Sequence, residues 1–181
     1  NRGGVVQYDL IKERPNATTE HRSPPRPPGA ELLEAVQHLE AEQELDRRPW
    51  VDIVTECLKP KFERPPDNTD ARGNVISLPP DCERIEGQPR VFRAVIASAN
   101  ILLKNPAHRD YLAGTFGAKA VEMEGSGIAD ATWISDRAGY LVVRSVVDYC
   151  DERKGDRWHR AAALAAASYT RALVQSMHAP E

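Results

Sequence analysis

The sequence predicts an α/β fold in which helices flank a mixed β-sheet in three layers. From residue 91 onward, apolar segments rich in β-forming residues alternate with segments of helical periodicity, which is typical of a layered α/β domain. The segment 140–147 is almost continuously apolar, as expected of a strand covered on both faces. The 181 residues suffice for one domain with its own core, and we expect residues 1–181 to form one domain.

The predicted elements follow one another along the chain. A strand is expected over 4–10. Helices are expected over 29–45, where leucine and valine recur at helical spacing, and over 50–58. A proline-rich variable insert at about 59–90 is expected to be an exposed loop, because proline fixes φ and lacks an N–H donor. Further strands are expected at 91–97, 118–123 and 140–147, and further helices at 106–116, 125–137 and 157–178.

Charge and composition argue against several classes of function. The 24 basic and 27 acidic residues are well mixed and give a net charge of −3, so a nucleic-acid partner is not expected. Neither is a membrane partner, because no apolar run approaches the roughly 20 residues that span a bilayer. Cys57, Cys82 and Cys150 are far apart and odd in number, which argues against disulfides and for a reducing, cytoplasmic compartment. No cysteine or histidine pair has zinc-ligand spacing, so no metal site is expected.

Asp148 is the first candidate for chemistry. It follows directly on the segment 140–147, and ligands of α/β proteins bind outside the carboxyl ends of strands. A partly desolvated carboxyl group there could hold a proton near neutral pH and act as a general acid. The alternative is that Asp148 only starts a turn, which is a common place for aspartate.

The second candidate is the segment Glu122-Met123-Glu124, which precedes Gly125. Alternation along a strand would send Glu122 and Glu124 to the same side, opposite Met123. A carboxylate held there could accept hydrogen bonds from the two vicinal hydroxyls of a ribose. The alternative is a negative charge at the start of a helix, favoured by the helix dipole.

A third segment, at 96–103, runs from a strand into small residues and then into the apolar pair Leu102 and Leu103. These leucines could form a wall against which a flat base packs. The alternative is that both are ordinary core residues.

These motifs resemble, in order and spacing, those of the purine/uridine phosphorylase superfamily. They are Ile-Ala-Ser-Ala-Asn at 96–100, Glu-Met-Glu-Gly at 122–125 and Val-Arg-Ser-Val-Val-Asp-Tyr-Cys-Asp at 143–151. The tail Arg-Lys-Gly-Asp-Arg-Trp at 153–158, before an alanine-rich helix, resembles a fungal branch in which the domain is often fused to NTPase or repeat modules of immune-receptor type. The chain is similar to the C-terminal two-thirds of such a nucleoside-phosphorylase-like domain.

The resemblance implies cleavage of the N-glycosidic bond of a purine nucleoside or nucleotide, by phosphorolysis or hydrolysis. Asp148 would be the acid at N7 of the purine, and Glu124 would hold the ribose beside Met123, with Glu122 in support. No cofactor is implied, although phosphate could serve as co-substrate, and a homo-oligomer is the habit of the superfamily. Leu102 and Leu103 would line the base pocket, and Ser98 and Asn100 would bind substrate.

The chain also departs from the superfamily pattern. Ala99 stands where glycine is usual, and Val147 where serine or cysteine is usual. The first strands and the glycine-rich phosphate loop of the superfamily are not visible, so we expect the chain alone to be inactive. The alternative function is a catalytically degenerate nucleotide-sensing or protein-interaction domain of an immune-receptor-like protein. The product of a truncated gene is a third alternative.

Overall fold

The fold consists of two compact units, which are described here one at a time. In the computed structural model, the described residues are 4–15, 19–22, 26–65, 88–135, 139–152 and 156–177. Unit 1 comprises Asn1–Leu33 and Arg93–Val142, and unit 2 comprises Glu34–Phe92 and Val143–Glu181. Most of the proline-rich insert expected at 59–90 lies outside the described residues.

Five strands and five helices form among the described residues. The strands are β1 (Gly4–Gln7), β2 (Ile11–Glu13), β3 (Thr19–His21), β4 (Val95–Ser98) and β5 (Ala118–Glu122). The helices are α1 (Ala30–Glu44), α2 (Pro49–Cys57), α3 (Pro106–Phe116), α4 (Gly125–Ser135) and α5 (His159–Ser176), with short 3₁₀ turns at Pro60–Phe62 and Asp156–Trp158.

Unit 1 is built on a three-stranded parallel sheet in the order β1-β4-β5. Its strands bury small and β-branched side chains: Val6 and Ala97 are 0% exposed. Helix α4 packs on β1 and β4, and Ala129 of α4 joins Val5 and Tyr140 in a core cluster. A small parallel sheet flanked by helices confirms the predicted α/β class, whereas the three-layer, nucleoside-phosphorylase-like arrangement stays a prediction.

Helix α3 forms at the predicted positions 106–116, and the residues on either side of it fix both ends. The side chain of Asn105 accepts the N–H of His108 at 3.2 Å, which caps the first turn, and Pro106 follows at the first helical position. The helix ends at Gly117, whose φ of 67° lies in the left-handed region that favours glycine.

The antiparallel hairpin of β2 and β3 was not predicted from the sequence. All three residues of β2 are exposed, so the segment lacks the apolar alternation that identifies a half-buried strand. An ion pair joins Arg14 to Glu20 beside the strands, and Arg22 also contacts Glu20. These contacts lower the pKa of the Glu20 carboxyl, the Arg14 hydrogen bond having the largest effect.

Unit 2 is built on the packing of α2 against α5. Trp50 of α2 is 1% exposed and meets Tyr169 of α5 edge to face, with 5.4 Å between ring centroids. Ala162 and Ala172 of α5 are also buried. In the described part of the chain, no helix has both the length and the apolar character that crossing a membrane requires.

The strand predicted at 140–147 does not form. A strand needs a neighbour with free ladder groups, and Arg26 already exchanges both backbone hydrogen bonds with Val5 on the edge of β1 that β4 does not occupy. Tyr140 instead uses its carbonyl to accept the N–H of Gly29 at 3.0 Å. The two segments of the chain that contain Gly29 and Gly139 cross so closely that a Cβ on Gly29 would lie 2.8 Å from the Cα of Gly139.

Candidate functional site

The candidate site is the carboxyl edge of the parallel sheet in unit 1. In the sheet register, Gln7 pairs with Ser98, and Ser98 pairs with Glu122, so all three strands end side by side. The residues that follow each strand therefore emerge along one edge. This edge is where α/β proteins bind ligands, and it collects most of the residues that the sequence singles out.

Glu122, the last residue of β5, is buried, and its carboxylate turns back onto its own backbone. Oε2 accepts the N–H of Glu124 at 3.0 Å and that of Gly125 at 2.8 Å, and Oε1 also accepts the N–H of Gly125, at 3.0 Å. The first amides of a helix have no carbonyl partner within the helix, and a negative charge is favourable beside them. Of the two alternatives that the sequence left open, Glu122 therefore takes the helix-capping one.

Ser98, the last residue of β4, is fully buried and binds the same helix start. Its Oγ accepts the N–H of Ser126 at 3.0 Å and donates to Ser126 Oγ at 3.1 Å. The N–H of Ala99 donates to the carbonyl of Glu122 at 3.2 Å. Two adjacent strands thus hold the first turn of α4.

Met123 and Glu124 form the bend between β5 and α4, and both are exposed. The backbone of Glu124 is fixed at both ends: its N–H donates to Glu122, and its carbonyl accepts the N–H of Ile128 at 3.2 Å. The backbone that carries the Glu124 side chain is therefore fixed at the surface of the site.

The residues after β4 divide between the edge and the core. The N–H of Asn100 donates to Asp9 Oδ2 at 3.0 Å, and the Asn100 residue itself is exposed. Leu103 is 6% exposed and belongs to the core, whereas Leu102 is 55% exposed. One leucine is therefore buried and the other is exposed. The role of the pair as a wall against a flat base stays a prediction.

Sequence reasoning missed three residues that shape this edge. Asp9 follows β1, which ends at Gln7, and accepts hydrogen bonds from Gln7 Nε2 at 2.9 Å and from Asn100. The strand predicted over 4–10 included Asp9, so its position beyond the end of the strand was not evident from the sequence. Arg26 donates to the carbonyl of Ser126 at 3.2 Å and pairs with Asp130 of α4 at 2.6 Å. No sequence signal marks Arg26 or Ser126, because their partners lie about 100 and 28 residues away along the chain.

Tyr140 lies behind this edge in the unit 1 core. Its hydroxyl donates to the carbonyl of Arg26, and the residue is 8% exposed. Burial raises the pKa of the Tyr140 phenol above its ordinary value of 10.0, because a buried phenolate is poorly solvated.

Asp148 belongs to unit 2 and starts a turn, as one of the two readings of the sequence expected. Its Oδ1 accepts the N–H of Cys150 at 2.9 Å, and Cys150 has a φ of 55°, which is uncommon for a residue other than glycine. The expectation that Asp148 follows the end of a strand is wrong, because no strand forms at 140–147. Its catalytic role stays a prediction.

Unit 2 also contains an open cleft of about 570 Å³. Side chains from the 3₁₀ turn at Pro60–Phe62 line one side, and side chains at the start of α5 line the other. The cleft combines basic and acidic groups: Lys61, Glu63, Asp156, Arg157, His159 and Arg160. None of the sequence-predicted site residues lines it.

Comparison with known proteins relates the chain to a much longer protein. The chain is 28% identical over 187 aligned positions to a protein of Hyaloscypha variabilis described as a nucleotide-binding leucine-rich repeat (NLR)-like protein. The alignment covers 95% of this chain but only 18% of that relative's length. No protein-family profile matches the chain, and no solved structure matches it.

Proposed function

We propose that this chain is a recognition domain of a larger NLR-like protein, and that it binds the ribose of a purine nucleoside or nucleotide at the carboxyl edge of the β1-β4-β5 sheet. The observation that carries the proposal is the bend at Glu124, a carboxylate at this edge on a backbone held at both ends. An ionised carboxylate accepts hydrogen bonds at both oxygens, which suits the two vicinal hydroxyls of a ribose. The likeness to a relative described as nucleotide-binding supports a ligand of this class.

Binding of a ligand without catalysis is consistent with the small share of that relative's length that the chain spans. The alignment spans 18% of the relative, so a domain of this kind would act as one part of a larger protein. A ligand that binds one conformation better than another shifts the population toward it, and no chemical step is needed. The departures at Ala99 and Val147 are compatible with a site that binds a nucleoside and does not cleave it.

Calorimetric titration of the 181-residue chain with adenosine and with AMP tests the proposal. We expect Glu124→Gln to weaken adenosine binding about tenfold or more, because hydrogen bonds to a charged group contribute about 1.5–3 kcal/mol each. Glu13→Gln, in the exposed strand β2, is the matched control and should bind as the unchanged chain does. Absence of adenosine and AMP binding, or equal affinity of the two variants, would contradict the proposal.

Cleavage of the N-glycosidic bond is the second candidate, and the turn at Asp148 favours it. Cys150 has a positive φ, which is a sparsely populated conformation for a residue other than glycine. Such conformations cluster at functional sites. Asp148 would donate a proton to N7 of the purine as the bond breaks, which neutralises the negative charge that develops on the base. Water or phosphate would then attack the sugar carbon.

Release of free purine distinguishes this candidate from binding alone. The 181-residue chain and a form extended at its N-terminus are incubated with adenosine, inosine and AMP, with and without phosphate. Under the cleavage candidate, Asp148→Asn lowers the rate about 10²-fold or more, the usual scale of general-acid catalysis. A variant that turns over as fast as its parent would remove Asp148 as the proton donor.

A further inference from the structure

We propose that Glu122 and Ser98 are positioning residues, which contact no ligand themselves but fix the bend that presents Glu124. This inference rests on the proposed ribose contact of Glu124. It revises the roles that the resemblance implies for both residues, because the side-chain oxygens of each already bind amides at the start of α4.

The first argument is the direction of the Glu122 carboxylate. It makes three contacts of 2.8–3.0 Å with the amides of Glu124 and Gly125, and the residue is only 8% exposed. A buried carboxylate is stable only where its charge is compensated, and the helix start supplies that compensation. Turning this group toward a ligand would leave two amides without their acceptor.

The second argument is the attachment of the same turn to β4. Ser98 is 0% exposed, and its Oγ both accepts from and donates to Ser126. The two caps together bind the amides of three consecutive residues, 124–126, from two neighbouring strands. The backbone of this segment therefore cannot rotate without breaking contacts at buried positions.

The third argument is the lack of space at Gly125. A Cβ there would lie 2.8 Å from Glu122 Oε1 and 3.2 Å from Val5 Cγ2. The carboxylate fills the room that a side chain would need, so the cap in this position requires a glycine at 125. At Gly127, two residues further along, a Cβ would meet nothing within 4 Å.

The consequence for binding is specific. A carboxylate held in place before the ligand arrives loses no rotational freedom of its backbone on binding, so pre-organisation raises affinity. Without the caps, Glu124 would keep its charge but lose its fixed position. The ribose hydroxyls would then contribute less, while contacts with the base would stay the same.

The test compares adenosine with 2′,3′-dideoxyadenosine in calorimetric titrations of the 181-residue chain. We expect Glu122→Gln to weaken adenosine binding about tenfold, because the amide nitrogen of glutamine cannot accept a backbone N–H, and to change dideoxyadenosine binding by less than about twofold. Ser98→Ala should act in the same direction, and Glu13→Gln is the control. Equal weakening of both ligands would indicate a merely structural role and overturn the inference.

Amide hydrogen exchange without ligand provides a second readout. We expect Glu122→Gln to speed exchange at Glu124 and Gly125, whereas Glu124→Gln should leave these amides protected. Unchanged protection in Glu122→Gln would overturn the inference even if ribose binding is established. If the unchanged chain instead binds both ligands equally, the proposed ribose contact fails, and the positioning role fails with it.

Discussion

The contacts of single residues at the sheet edge were predictable only in part. Glu122, Met123 and Glu124 were identified from their alternation before two glycines, and the sequence left open whether a carboxylate there binds a ribose or caps a helix. The structure assigns the cap to Glu122. The role of Ser98 could not be predicted in this way, because its partner Ser126 becomes its neighbour only when β4 and α4 pack together.

Tyr140 gives a pH-dependent prediction at this scale. Its burial raises its pKa, so the folded state favours the neutral phenol, and the stability this contributes is present below pH 10 and is lost as the pH rises through the folded-state value. We expect Tyr140→Phe to lower the free energy of unfolding by about 1 kcal/mol at pH 7, through loss of the hydrogen bond to Arg26.

Urea unfolding between pH 7 and pH 11 measures this effect. The difference in the free energy of unfolding between the unchanged chain and Tyr140→Phe should shrink above pH 10, because position 140 ionises only when it is a tyrosine. A difference that is constant across this range would contradict the assignment of the raised pKa to Tyr140.

Secondary-structure elements were predicted well where local signals are strong. Helix α3 forms at the predicted positions 106–116, between the asparagine that caps its start and the glycine that ends it. The segment 140–147 failed for a physical reason: an apolar run specifies burial, whereas a strand also needs a partner, and the edge of β1 meets Arg26 instead. The β2–β3 hairpin was missed for a different reason: all three residues of β2 are exposed, so this strand shows no apolar alternation.

Gly114 in the interior of α3 and Gly117 directly after its end give a paired prediction at the scale of the element. Gly114 lies in the helix interior, where a Cβ would meet nothing within 4 Å, so Gly114→Ala should raise the free energy of unfolding by up to about 1 kcal/mol. Gly117→Ala should lower it by about 1–2 kcal/mol, because Gly117 has a φ of 67° that alanine adopts only with strain. Thermal or urea unfolding checks both, and a shift of the same sign in the two variants would be inconsistent with the observed helix end.

At the scale of the whole molecule, the sequence predicted the fold class but not its division into two compact units. Composition and periodicity report on local burial, and neither identifies which segments contact one another over long sequence separations. The expectation of one domain over residues 1–181 stays a prediction, as does the relation of the proline-rich insert to the rest. Over 95% of its length, the chain is similar to part of a longer NLR-like protein. Its function should therefore be tested as that of one part of a larger protein.

The two candidate functions differ in which backbone amides a bound nucleoside should protect from hydrogen exchange. If the ribose is bound through Glu124 alone, adenosine should slow hydrogen exchange in unit 1, at the ends of β1, β4 and β5. If Asp148 contacts the purine, as the cleavage candidate requires, the turn at 148–150 should gain protection. Exchange measured by mass spectrometry with saturating adenosine separates these outcomes, and protection confined to unit 2 would contradict the ribose contact of Glu124.

The crossing at Gly29 and Gly139 has a consequence for tracing ancestry. Neither position tolerates even a methyl group, since either Cβ would lie within 2.7–2.8 Å of the opposite Cα. Mutation at one site cannot be rescued by shrinking the other, so the pair should persist or disappear jointly through divergence. Two glycines about 110 positions apart thus make a fingerprint for this backbone crossing, usable where overall identity has fallen too low to align sequences with certainty.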